Sequence, residues 1–198
     1  MFFDAQHLPD PRNEYVAWVD VMGAQASMSR SIRATANFVF KLHIAALEAN
    51  HSGVILYPVM DGFYASGIDQ TKFLDFLRQV FEKVAFEFIS ESQQQHRFII
   101  RGGLAFGPVY HGRDVSPQAS TVLAQQQDYR CSILLGMPMV QAHLGEREAP
   151  PFGIYVHESA RTFAPASIEP LHVTWWRWNT QQNKQTWQDL KQTMASYF

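Results

Sequence analysis

Apolar residues recur along this chain with two different periods, and the change of period marks its elements. Tyr15-Val-Ala-Trp-Val-Asp-Val21 is β-branched and aromatic, bounded by Pro11 and Gly23, and predicts a strand. From Ile32 to Glu48 the spacing becomes helical, with Phe38, Leu42 and Ala45 on one face. Ser27 to Ser31 offers N-caps, and Gly53 ends the helix. Val54–Tyr57 and Phe63–Ala65 flank Asp61-Gly62 and predict a hairpin with the acid at or near its turn. Lys72–Ile89 is the clearest helix, carrying Phe73, Phe76, Leu77, Val80, Phe81 and Val84 on one broad face. Arg97–Phe106 reads as a strand weakened by paired glycines, then Gly107-Pro108 and a short strand to His111. Residues 113–131 show no clear pattern. Pro138–Glu146 predicts a short helix with proline in its first turn. Phe152–His157 and Leu171–Trp178 read as strands, and Lys184–Tyr197 as a final helix. This irregular alternation predicts an α+β fold, a sheet layered with helices, in a single domain over residues 1–198.

Composition narrows the function classes. The chain has 198 residues, 46% of them hydrophobic, with 15 Phe, which suits a packed core. A net charge of −2 and a pI of about 6.4 give no electrostatic case for nucleic acid or a membrane surface. A lone cysteine, Cys131, excludes an internal disulfide and leaves a thiol-zinc site unsupported. No apolar run approaches the roughly 20 residues of a spanning helix. No signal-peptide pattern opens the chain. The expectation is a cytoplasmic domain with no membrane and no nucleic-acid partner. The eight histidines show no metal spacing, and Ser132 and Cys131 have no base beside them in sequence. Trp175, Trp176 and Trp178 lack a basic surround and read as core or interface.

Two aspartates stand out. Asp20 and Asp61 each follow a strand-forming apolar run and precede a glycine, and an ionised carboxylate near a core is costly without a compensating partner. Asp-Gly is also a common turn pair, which accounts for Asp61 taken alone. Taken as a pair on adjacent strands, the two could converge on a divalent cation, and a few oxygen ligands suit Mg²⁺ or Mn²⁺. Arg101, inside a strand beside Gly102 and Gly103, needs an anionic partner, and the glycines would let a ligand approach the backbone. Together the three residues suggest phosphate handling.

The order of four segments carries a resemblance. Trp18-Val-Asp-Val-Met-Gly23, Tyr57-Pro-Val-Met-Asp-Gly-Phe-Tyr-Ala65, Ile100-Arg-Gly-Gly-Leu-Ala-Phe-Gly-Pro-Val109 and Gly136-Met-Pro-Met-Val-Gln-Ala-His-Leu144 together resemble the class III nucleotidyl cyclase domain over about residues 15–145. The resemblance implies a ferredoxin-like βαββαβ core, a mostly antiparallel sheet flanked by helices, and a head-to-tail homodimer with active sites at the interface. It implies that Asp20 and Asp61, with the backbone carbonyl of Val21, hold two divalent cations, Mn²⁺ or Mg²⁺. Arg101 would contact the phosphates of a nucleoside triphosphate while the 3′-hydroxyl attacks the α-phosphorus and expels pyrophosphate.

Two positions bear on the base. Purine-using members carry a lysine four residues before the second aspartate and an acid three residues before the helix-leading glycine. Here Tyr57 and Ile133 stand there. A tyrosine hydroxyl suits a one-ring base edge, so the chain looks like the bacterial pyrimidine cyclases of the Pycsar antiphage systems. Those make cyclic UMP or CMP to switch on an effector. The expected substrate is UTP, then CTP, with an ATP or GTP cyclase or a non-catalytic nucleotide sensor as alternatives. Departures from the pattern are also plain. Val140 and Leu144 occupy the places of a transition-state Asn and Arg, and Met60 replaces a glycine. Arg113 or Arg130 are the candidate substitutes for the missing arginine, and Lys184 or Arg177 for a late lysine.

Overall fold

A computed structural model describes residues 3–49, 52–162, 171, 173–180 and 182–197. The first strand, β1 (Arg12–Val21), is followed by a single helical turn and a half, α1 (Ala24–Met28), and by α2 (Ile32–Glu48). Ser31 caps α2, its hydroxyl accepting from the Ala34 N–H, as a Ser ahead of an apolar periodic run should. The hairpin β2 (Val54–Val59) and β3 (Gly62–Gly67) leads to α3 (Gln70–Ser90), capped by Asp69. β4 (Ile100–His111) is one unbroken strand, where the sequence suggested a strand from Arg97 interrupted at Gly107-Pro108. Residues 121–131, unpatterned in sequence, form two short helices, α4 (Thr121–Gln125) and α5 (Gln127–Cys131). Then come β5 (Leu134–Leu135), α6 (Met137–Glu146), β6 (Ile154–Val156), α7 (Glu158–Thr162), β7 (Trp175–Trp176) and α8 (Lys184–Tyr197).

Two expected strands shrink. Phe152–His157 keeps only Ile154–Val156, and of Leu171–Trp178 only Trp175 and Trp176 pair; residue 172 lies outside the described residues. Trp178 is in the core, Trp176 packs against it, and Trp175 is exposed.

The sheet order is β2-β3-β1-β4-β6-β7, with β5 joining β4. The pairs β2–β3, β3–β1 and β1–β4 are antiparallel, and β4–β6 is parallel. The first four strands with α2 and α3 are thus a βαββαβ unit, each helix crossing over an intervening strand. Side chains of β1 alternate between the faces. Tyr15, Ala17, Val19 and Val21 enter the main core with Phe38, Leu42, Phe73, Phe76 and Phe81 from α2 and α3. Val16 and Trp18 face the other way, Trp18 against Ala105 and Ala142 of α6. That second face, under α6, carries the polar groups of interest. No helix of the described residues is long and apolar enough to cross a membrane.

Candidate active site

Asp20 is the penultimate residue of β1, on the α6 side of the sheet. Its register partners are Gly62 of β3 and Arg101 of β4. Asp61 immediately precedes Gly62, so the antiparallel β1–β3 ladder brings both aspartates to one end of neighbouring strands. The turn that presents Asp61 is centred on Met60-Asp61, since Val59 pairs with Gly62. The Asp-Gly pair is therefore not the turn centre. Met60 instead adopts the left-handed backbone, φ 48°, at a tip where it is 83% exposed. That conformation costs an L-residue about 1–2 kcal/mol.

The electrostatics of Asp20 are unusual. Its carboxyl is pushed up to about 7, first by burial, then by the negative charges of Asp61 and Glu146; the Val21 N–H and the Arg101 guanidinium oppose this without cancelling it. Oδ1 of Asp20 is buried with no hydrogen-bond partner among the described residues. On the same side, Trp18 Nε1 and His143 Nδ1 are also without partners, the two rings meeting edge-on at 5.5 Å between centroids. Buried polar atoms left unpaired are rare and costly, which marks this end of the sheet as built for something more than packing.

Arg101 finds its anion within the chain. Its Nε donates to Glu146 on α6 in a very close contact, and its Nη1 donates to the Arg147 carbonyl at 3.3 Å. The adjacent glycines serve that pairing and not ligand approach. A Cβ at Gly103 would lie 2.0 Å from the Ala142 carbonyl oxygen, and one at Gly102 would lie 2.7 Å from the Trp18 carbonyl oxygen. The backbone of α6 sits directly on β4, and only glycine permits it.

A second polar cluster lies further along the same face. Ser66 Oγ donates to one oxygen of Glu14, and His111 Nε2 lies 3.0 Å from the other. His111 Nδ1 is hydrogen-bonded to the Tyr57 hydroxyl. Tyr57 is 1% exposed, and burial pushes its hydroxyl up to about 12. The structure places Tyr57 inside this packed network, beneath the Arg113 guanidinium at 5.9 Å, and not in an open pocket. Ile133, the other base-contacting position, is half-buried nearby, its carbonyl accepting from the Gly112 N–H at 2.9 Å. Tyr57 and Ile133 therefore border the same short segment, Tyr57 through His111 and Ile133 through Gly112. Sequence reasoning missed His111 and Glu14, which are 97 residues apart and meet only because β1 and β4 are neighbours in the sheet.

The remaining candidates are dispersed. Val140 and Leu144 are exposed on α6, and Met137 is exposed with them. Gln141 approaches Ser159 at 3.4 Å, and Arg130 Nη1 donates to the Val115 carbonyl at 3.0 Å. Arg177 lies over the Trp187 ring, and Lys184 opens α8. No late lysine or arginine is thereby brought to the aspartates.

Among the described residues no three or more His, Cys, Asp or Glu side chains are arranged to cage a metal ion. Two carboxylates with an unpartnered buried oxygen nevertheless fit a hard divalent cation of the kind that keeps water and substrate oxygens in its shell. Asp20 and Asp61 would hold it, with the Val21 carbonyl alongside.

No protein-family model matches the sequence, and no curated protein matches it either. Solved structures do match. A bacterial light-regulated adenylyl cyclase superposes with a TM-score of 0.61 at 12% identity, over 93% of this chain and 100% of that one. The guanylyl cyclase domain of the RhoGC fusion protein from the aquatic fungus Blastocladiella emersonii gives 0.57 at 18% identity, over 77% and 83%. The guanylyl cyclase Cya2 gives 0.54 at 14% identity, over 84% and 89%. At such identities a likeness carries architecture and not chemistry. The chain has the fold of the class III adenylyl and guanylyl cyclase domains.

Proposed function

We propose that the protein is a divalent-metal-dependent nucleotidyl cyclase acting on a pyrimidine nucleoside triphosphate, UTP ahead of CTP. The observation that carries the catalytic part is the convergence of Asp20 and Asp61 at one strand end, with a buried Asp20 oxygen lacking any partner. Bound cations, Mn²⁺ or Mg²⁺, would acidify the substrate's 3′-hydroxyl and offset charge on the phosphoryl oxygens. Arg101, held through Nε and Nη1, has its Nη2 edge for the triphosphate. The attacking hydroxyl belongs to the substrate itself, so the chain has chiefly to bind and orient it.

The pyrimidine preference rests on the absence of a lysine at 57 and an acid at 133, where Tyr57 and Ile133 stand around His111. For Tyr57 to meet a base, its bond to His111 has to open. A homodimer with sites at the interface is supported by exposed apolar side chains at the hairpin tip next to Asp61, Met60, and along the outer side of α6, Met137, Val140 and Leu144. A role in antiphage signalling through a cyclic-nucleotide effector rests on the sequence resemblance alone.

One observation favours a second reading, a domain that binds nucleotide without turnover. Val140 and Leu144 cannot stabilise a transition state. Incubation of the purified protein with each of the four ribonucleoside triphosphates and Mn²⁺, with products identified by mass, separates the readings. Cyclic UMP or CMP formed about 10-fold faster than cyclic AMP or GMP is the expected result. A preference for ATP or GTP would overturn the pyrimidine assignment, and tight binding with no product would favour the sensor.

A further inference from the structure

Behind the aspartates, on the opposite face of the sheet, lies a cavity of about 680 Å³. Its floor is apolar and buried, formed by Val21, Phe38, Phe98 and Ile99. Its border carries Arg30, His96 and Arg97, and none of the described residues that line it is Asp or Glu. Arg30 spends its Nε on the Ala26 carbonyl at 3.3 Å, and Arg97 its Nε on the Glu91 carbonyl at 3.0 Å. Arg30 is exposed and Arg97 lies half-buried over the Phe88 ring at 5.6 Å, and neither has a carboxylate partner among the described residues. An apolar hollow of a few hundred cubic ångströms rimmed by guanidinium groups without a carboxylate partner is complementary to an apolar body with an anionic head.

The cavity is also wired to the site on the other face. Val21, Met22 and Gly23, which form one wall, continue the chain directly from Asp20; Phe98 and Ile99, which form another, lead through Ile100 to Arg101. The two walls are tied by the Met22 N–H, which donates to the Ile99 carbonyl at 2.8 Å. A molecule wedged between them bears on the backbone at the root of both residues. Because the side chains of β1 alternate, Val21 points into the cavity while Asp20 points away from it, so an occupant would not compete for the space under α6.

We propose that this cavity is an effector site for a small amphiphilic anion, one carboxylate, sulfonate or phosphate-monoester group on an apolar body. Occupancy restrains the segments that carry Asp20 and Arg101. The binding does not depend on which nucleotide the protein uses, or on whether it turns one over.

The test uses the full chain and the fluorescent anion 8-anilinonaphthalene-1-sulfonate. Saturable binding of one probe per chain is expected, with hydrogen exchange slowed in peptides covering 20–24 and 97–101 but not at the β2–β3 hairpin. Arg30→Ala combined with Arg97→Ala should weaken binding by about 10-fold or more, the loss of charge-assisted contacts. Ala34→Trp, which fills the hollow from α2, should abolish it. Circular dichroism and thermal melts confirm that each variant is folded, and Arg30→Ala alone serves if the Arg97 change unfolds the chain. Binding that is unchanged in both the arginine and the filled variants would overturn the site. Exchange unaltered on binding would overturn the restraint. Displacement of the probe by equimolar inorganic tripolyphosphate would assign the cavity to the nucleotide's own phosphates, which also refutes the proposal.

Discussion

Glu14 and Asp20 lie six residues apart on the same strand and the same face, yet their carboxyl groups titrate in opposite directions. Burial works to raise both. At Glu14 the hydrogen bonds from His111 and Ser66, with the charges of His111 and Arg12, outweigh burial and hold the carboxyl below its ordinary value of 4.5. At Asp20 nothing outweighs burial, and the two neighbouring carboxylates, Asp61 and Glu146, add to it, so the group rises to about 7. The difference is one of partners and not of depth. Glu14 is a carboxylate whose bonding is complete inside the fold, which is how a structural acid looks. Asp20 is one whose bonding the chain leaves incomplete, which is how an acid awaiting something from outside looks.

The sharpest way to break that contrast is to remove Glu14 on one side and, on the other, Asp61, the acid paired with Asp20. Asp61→Ala should cut cyclic-nucleotide formation by about 1000-fold or more. Its urea-unfolding free energy should stay within about 1 kcal/mol of the parent's. Glu14→Ala strips the buried His111 and Ser66 of their acceptor and should cost about 3 kcal/mol of stability. Its specific activity per folded molecule should be much less affected. A Glu14→Ala protein as stable as the parent would undo the comparison.

The next test uses pH. The Glu14 contribution has a depressed folded value, so it is present in full above 4.5 and is lost as pH falls through that lower value. For Asp20 the sign reverses. A raised folded value means a penalty absent well below 3.8, growing as pH climbs and complete above about 7. Without divalent cation, Asp20→Asn should therefore unfold at higher urea than the parent at pH 8, by about 1 kcal/mol, and show no such gain near pH 4. Equal effects at both values would show that the carboxyl is not the strained group described.

The smallest expected effect lies at the hairpin tip. Met60→Gly relieves the left-handed backbone of a non-glycine residue, offset in part by the greater freedom of glycine in the unfolded chain, for a net gain of about 0.5–1 kcal/mol in chemical denaturation. A loss of stability instead would mean that Met60 makes a packing contribution its exposure hides.

Much of this architecture was readable from periodicity. α2 and α8 begin and end where the apolar spacing and the Ser31 cap place them, and the β2–β3 hairpin puts Asp61 in its turn. β4 was misjudged because glycine pairs and Gly-Pro read as breaks, whereas Gly102 and Gly103 are positions where another backbone comes close. Short edge strands such as β6 and β7 carry too few residues for a period to register. Asp20, Asp61 and Arg101 were visible because each breaks an apolar pattern. Glu14, His111 and Glu146 were not, since each sits at the end of an element where polar residues are ordinary. Only the folded packing reveals that Glu14 meets His111, across the β1–β4 pair, and that Arg101 meets Glu146, where α6 rests on β4.

One consequence of Gly103 concerns how motion can pass through the molecule. Because Ala142 and Glu146 rest on a strand position with no side chain, no flexible atoms separate α6 from β4 at Gly103. The same helix shows Val140 and Leu144 to the outside and anchors Arg101 from the inside. At that point of contact a displacement of α6 is passed to β4 backbone against backbone, two residues from the guanidinium that Glu146 holds.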